Sequence, residues 1–376
     1  MPEIKAVITN YDLVTAYGRG IEPLWDGLLS KKSAIAKVSR FSTKSFLSNN
    51  AAIISELDYH EDGSLVMGML APLLNKNASL IPGDAFLILA TTVGEIDLLE
   101  KGLLSGKLTL SQARPAVFLE KTKKIVGLKK PGMLISCACA SSSSAIAQGA
   151  SLIRQGQEDC VLVVAADGVS EFVFSGFSSL MALDKDKARP FDKNRSGLSL
   201  GEAAGFVLLM SEERARKEKR KVWLEVAGWG LTCDANHMTG PSRDAGGLIA
   251  AIRQALDCAG VLPEDIGCIS AHGTGTLYND SMEIKAFKDI FKEEAVPVYS
   301  IKGATGHTLG AAGLIETIVV LKGFSEGVIP ATVNLEEPDN EACGWVTDLS
   351  QLLQRKVAIS NNCGFGGINA ALVLKH

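Results

Sequence analysis

Short apolar runs rich in β-branched and aliphatic residues recur along the whole chain: Lys5 to Thr9, Ala85 to Ala90, Cys160 to Ala166, Gly205 to Leu209, Trp223 to Ala227 and Ala370 to Leu374. Runs of this length, apolar on both faces, belong to strands covered on both sides, and the helical stretches between them predict an α/β protein. Two of those stretches resemble each other. After Cys139, small or apolar residues at Ala145, Gly149, Leu152 and Ile153 keep a 3.6-residue period that ends at Gly156, and Gly310 to Gly323 also runs from small residues into an aliphatic face. The echo predicts a duplicated half.

Composition narrows the partners. Apolar residues make up 47% of 376 and charged residues 21%, enough to build a core. With 38 Lys+Arg against 42 Asp+Glu the formal charge is −4, which leaves no global positive field for a nucleic-acid backbone. No apolar run approaches the roughly 20 residues that span a bilayer. The eight cysteines are scattered, mostly inside apolar runs, and no signal or transit peptide is visible at the start, so a reduced, cytoplasmic protein is expected. The run Arg214 to Lys221, preceded by Ser211-Glu-Glu, reads as a solvated, capped helix at the joint between halves, placed at 1–225 and 226–376.

Three constellations could carry chemistry. In Met133 to Ser144 an apolar run passes through Cys137-Ala-Cys139 into a helical pattern, which sets a cysteine beside a helix N-terminus, where the dipole and free amides favour thiolate. Two histidines sit in glycine- and threonine-rich turns, Ala271-His272-Gly-Thr274-Gly-Thr276 and Gly306-His307-Thr-Leu-Gly310, with Lys302 and Glu316 placed to pair across the second. Near the end, Cys363-Gly-Phe365-Gly366-Gly367 forms a sharp turn whose amides could serve an oxyanion hole. Gly197-Leu-Ser199-Leu-Gly201 matches a hydrolase nucleophile elbow, but a polar loop precedes it and a strand follows, the reverse of what that motif requires.

In their order along the chain these motifs resemble the β-ketoacyl-acyl carrier protein synthases of the thiolase superfamily. The likeness extends through Arg189-Pro-Phe-Asp192, Gly201-Glu-Ala-Ala-Gly205 and Asp234-Ala-Asn-His-Met-Thr239, and is weakest between about residues 45 and 130. It implies a thiolase-like duplicated α-β-α-β-α layered sandwich, usually a homodimer, that performs a decarboxylative Claisen condensation in fatty acid or polyketide and polyene biosynthesis. On this resemblance Cys139 carries the acyl group and His272 and His307 stabilise the enolate of the malonyl unit. Lys302, held by Glu316, orients the site, and the amides of Cys139 and Phe365 bind the oxyanion. Thr274, Thr276 and Thr239 match positions that contact pantetheine, and Gly366 and Cys363 belong to the turn that shapes the substrate pocket. The partner implied is an acyl carrier protein, for which Arg189, Lys193 and Arg195 are the docking candidates. No metal or redox cofactor need be invoked.

The chain also departs from the family pattern. Its stretch before Cys139 is short, and residues 363 and 368 are Cys and Ile where the family usually has Phe and Thr. Thr9-Asn10-Tyr11 replaces a common Thr-Gly start. Two neighbouring readings follow: a thiolase-type condensing enzyme with Cys363 as its base, and a non-catalytic partner subunit of a heterodimeric ketosynthase.

Overall fold

The computed structural model describes residues 4–57, 63–106, 113–292 and 294–376; His60 lies outside them. One 11-stranded sheet runs through the molecule. Its principal strands are β1 (Ala6–Thr15), β2 (Phe86–Ala90), β3 (Gly132–Ile135), β4 (Cys160–Asp167), β5 (Ala203–Ser211), β6 (Leu224–Cys233), β7 (Cys268–Ser270), β8 (Val298–Tyr299), β9 (Val357–Gly364) and β10 (Ile368–Lys375). The order across the sheet is β8-β7-β9-β10-β6-β1-β5-β4-β2-β3.

That order contains the same motif twice. Counting outward from the centre, each half runs through its first, fifth, fourth, second and third strand. The directions repeat too: β1/β5 and β5/β4 are antiparallel and β4/β2 and β2/β3 parallel, just as β6/β10 and β10/β9 are antiparallel and β9/β7 and β7/β8 parallel. The halves meet where β1 pairs with β6 through Val7↔Glu225 and Ile8↔Leu224.

Alternation along the strands makes the layers. Val161, Val163 and Ala165 of β4 face a central layer made by α3 (Ser141–Arg154) and α7 (Ala312–Glu326), which also takes Leu372 and Leu374 of β10. Leu162, Val164 and Ala166 point the other way, into a cluster with α1 (Leu65–Asn77) and α2 (Pro115–Val126). Ala371 and Val373 of β10 likewise face α5 (Gly246–Ala259) and α6 (Leu277–Phe291). The result is the expected α-β-α-β-α sandwich. A short helix α4 (Glu171–Ser179) lies outside this layering.

Two local readings change. The helix after Gly310 does not close on Gly323; it continues to Glu326 and is capped by Gly327 at φ 69°. Gly323 answers to packing, since a Cβ there would stand 2.8 Å from the Val328 carbonyl. The charged run yields only the six-residue helix Glu212–Lys217, with Ser211 Oγ accepting from the Arg214 amide at 3.2 Å. Among the described residues no helix is long and apolar enough to cross a membrane.

Candidate active site

Equivalent strand ends of the two halves converge on one cavity of about 290 Å³, lined by Cys139, His272, His307 and Phe365. Cys139 sits in the turn between β3 and α3, 5% exposed. The turn is tight enough to force Ala138 into a left-handed φ of 48°, a strained conformation for a residue with a Cβ. Ser141 Oγ braces it by donating to the Ala138 carbonyl at 2.6 Å and accepting from the Cys137 amide at 2.9 Å.

His272 follows β7, and His307 follows the turn after Lys302; their rings meet edge to face with centroids 5.1 Å apart. One ligand atom each of Cys139, His272 and His307 falls within 4.8 Å of the other two. This sulfur–nitrogen set is the one grouping among the described residues that a soft cation such as Zn²⁺ would suit. The backbone amides of Phe365 and of Cys139 itself face the sulfur. The Phe365 ring stacks at 5.7 Å on Phe177 of α4, which supplies part of the cavity wall.

Burial dominates the electrostatics. It pushes the Cys139 thiol up to about 11, against the opposing pull of Lys302 and the Phe365 amide, which favours the thiol over the thiolate at neutral pH. Burial, with Lys302 adding to it, holds His272 and His307 well below 6.5. Both imidazoles are therefore neutral and present one N–H donor each.

Lys302 and Glu316 pair at 2.5 Å as expected, both about 1% exposed, and Lys302 Nζ also donates to the His272 carbonyl at 2.5 Å. The pair lies behind the histidines and does not line the cavity, which makes Lys302 a support of the site. Thr239, Thr274, Thr276 and Cys363 do line it. Gly366 does not: it is exposed at φ 89° and donates its amide to the Met238 carbonyl at 2.7 Å, closing the turn from outside. Ser199 Oγ is spent on the Ala188 amide at 2.9 Å, while the Ser199 carbonyl accepts from the His307 amide at 2.7 Å, so the elbow-like motif holds a histidine loop.

The carrier-docking candidates divide by exposure, since the Lys193 and Arg189 side chains are 47% and 28% exposed while Arg195 is enclosed. Arg195 is 5% exposed and donates to Asp339 at 2.7 Å and Ser281 at 2.9 Å. Lys193 is paired with Glu337, and Arg189 lies 3.5 Å from Glu336 and 3.7 Å from Asp186. The buried Arg195 offers no surface charge; it is an internal tie.

Several supporting acids carry no local sequence signal. Glu283 of α6 accepts from the His272 and Gly273 amides, both at 2.7 Å, and Asp280 accepts from the Thr274 amide at 3.0 Å, so one helix fixes the whole His272 loop. Asp167, at the end of β4, accepts from Thr92 and Gly310 amides at 2.8 and 2.7 Å, joining loops from both halves. Each is buried, and Asp167 in particular joins residues far apart in the chain.

Comparison with known proteins agrees with this geometry. The family models for the β-ketoacyl synthase N-terminal and C-terminal domains match residues 122–215 and 224–336. The 3-oxoacyl-(acyl-carrier-protein) synthase 2 of Vibrio cholerae is 30% identical over 422 aligned positions, covering 100% of each chain. That alignment is longer than this chain, so the relative has residues that this one lacks. Among solved structures, the ishigamide ketosynthase/chain length factor superposes with a TM-score of 0.90 at 29% identity over 99% of both chains. A β-ketoacyl synthase from Burkholderia phymatum gives 0.88 at 26% identity, again over 99% of both. The chain belongs to the β-ketoacyl synthase family, with its thiolase-like fold.

Proposed function

We propose that this protein is a 3-oxoacyl-acyl carrier protein synthase, an acyltransferase that condenses a Cys139-bound acyl chain with malonyl-carrier protein in fatty acid or polyketide biosynthesis. The observation that carries the reading is the convergence of the Cys139 thiol, two neutral imidazoles and two backbone amides on a single cavity. In the first step the Cys139 sulfur attacks the acyl thioester, and its proton leaves with the departing carrier thiol. Malonyl-carrier protein then enters, with Thr239, Thr274 and Thr276 along its pantetheine arm. Breaking the bond to the carboxylate releases carbon dioxide and puts negative charge on the thioester oxygen, where the His272 and His307 N–H donors await it. The enolate carbon attacks the Cys139 thioester. Its oxyanion sits on the Cys139 and Phe365 amides, and collapse frees the thiolate, which regains a proton from water.

The same proposal includes a division into two halves, supported by the repeated strand order, with the boundary expected at 225/226 moved back to precede Leu224, where β6 begins, and a cytoplasmic location, supported by eight cysteines without a disulfide. It also includes a dimer with a second copy or a related subunit. A neighbouring solved ketosynthase is in complex with its chain length factor, and another with an acyl-carrier protein.

Incubation with an acyl-carrier protein and malonyl-carrier protein should give a product two carbons longer, one equivalent of carbon dioxide, and an acyl adduct on the peptide holding Cys139. Turnover with the adduct elsewhere sinks the assignment. Cys363 lines the same cavity, which keeps the thiolase reading in view. Replacing Cys363 by Ser separates the two, because a thiolase base would be lost whereas a wall residue only alters chain-length preference.

A further inference from the structure

A neutral imidazole donates from one nitrogen only, so the side on which His272 holds its proton decides whether it can meet an enolate in the cavity. We propose that Asn362 is the positioning residue that fixes that proton on Nε2, through an amide whose orientation is set by Glu316 and braced by Ser143.

The arrangement starts at the buried ion pair. Lys302 donates to Glu316 Oε1 in a buried salt bridge, and a carboxylate paired with an ammonium in this way accepts hydrogen bonds and donates none. Its other oxygen lies 2.7 Å from Asn362 Nδ2. An Asn362 amide turned the other way would face oxygen to oxygen, so the nitrogen must point at Glu316. Ser143 Oγ of α3 then donates to Asn362 Oδ1 from the opposite side. The second N–H of the same amide is left facing His272 Nδ1 at 3.4 Å. A nitrogen that faces a donor holds a lone pair, so the His272 proton resides on Nε2.

Strand β9 makes this arrangement by alternation. Asn361, on its other face, donates to Glu283 at 2.8 Å, and Glu283 holds the His272 backbone. One strand thus anchors the backbone of His272 through one side chain and the ring through the next. His307 has no counterpart, since its Nδ1 is buried without a hydrogen-bond partner. The two imidazoles differ in how they are held, and only His272 is tied to the ion pair.

The inference rests on the condensing function proposed above. Its direct test does not. Two-bond ¹⁵N–¹H spectra of histidine-labelled enzyme at neutral pH, with His272 assigned by its own substitution, should show a single Nε2–H tautomer. Asn362→Leu keeps the volume and removes the donor. His272 should then populate both tautomers, kcat for malonyl decarboxylation should fall on the order of tenfold or more with KM little changed, and iodoacetamide should still label Cys139. Ser143→Ala leaves Glu316 in control of the amide and should retain the wild-type tautomer. A wild-type His272 with its proton on Nδ1 overturns the proposal whatever the variants do. So does an Asn362→Leu enzyme with an unchanged tautomer or an unchanged rate. Wild-type protein that fails to decarboxylate malonyl-carrier protein overturns the functional reading instead, and the spectrum still reports on Asn362.

Discussion

The loops at equivalent strand ends in the two halves have the same address and different work. After its third strand, the first half places Cys139 and then α3; after its third strand, the second half places Lys302 and His307 and then α7. After its second strand the first half offers the Thr91–Gly94 turn, with no titratable group, while the second half offers His272. The supports differ as well. The Thr91–Gly94 turn is held by Asp167 from the neighbouring strand, and the His272 loop by Asp280 and Glu283 from its own following helix. The repeat fixes where a loop arrives, and single side chains decide whether it bears a nucleophile or a proton donor.

The largest expected effect tests that separation. His272→Ala and His307→Ala should each lower malonyl decarboxylation by about 10²–10³, the cost of one oxyanion donor, while Cys139 remains open to iodoacetamide labelling. If labelling is lost along with decarboxylation, the two loops do not divide the labour. Next comes Arg195→Ala, which removes the partner of Asp339 and leaves Asp280 without its nearby guanidinium. Chemical denaturation should show a loss of about 3–5 kcal/mol, with little change in affinity for carrier protein once the folded fraction is taken into account. A selective loss of carrier affinity would return Arg195 to the docking surface.

Gly313→Ala probes the seam between the halves. A Cβ at that position would stand 1.9 Å from Ser143 Oγ and 2.5 Å from Asn362 Oδ1, so overpacking should cost about 1–3 kcal/mol and lower the thermal midpoint. The smallest effect concerns pH. Both site histidines are held below their unfolded value of 6.5, so the unfolded chain takes up protons first as pH falls. Their contribution to stability is complete above pH 6.5 and declines below it. Decarboxylation should likewise show no acid limb near pH 6.5; a limb there would mean that one imidazole is solvated.

The parts of this site that sequence made legible are those whose chemistry is written in local motifs. Cys139, His272 and His307 stand in small-residue turns, and the spacing of Lys302 and Glu316 across one turn and helix anticipates their ion pair. Arg195 misleads because a charged loop residue usually meets water, whereas here Asp339 and Ser281 close over it. Gly323 misleads because a glycine near a helix end reads as a stop until Val328 is seen against it. Asp167, Glu283 and Asn362 lie in ordinary strand and helix patterns, and only tertiary contacts between residues far apart in the chain give them a task.

The close seam at Gly313 also bears on how such a chain can change over time. Ser142 Oγ accepts from the Leu314 amide at 2.9 Å, and Ser143 reaches Asn362, so the helix behind the nucleophile touches both the helix and the strand behind the histidines. A substitution on either side must be matched on the other, and the outer helix α6 is tied to the same strand by the bond from Asn361 to Glu283. Substitutions that alter what this scaffold accepts are therefore expected at the cavity wall, at Phe177 and Cys363, whereas the central pair of helices is expected to tolerate change only when both sides change together.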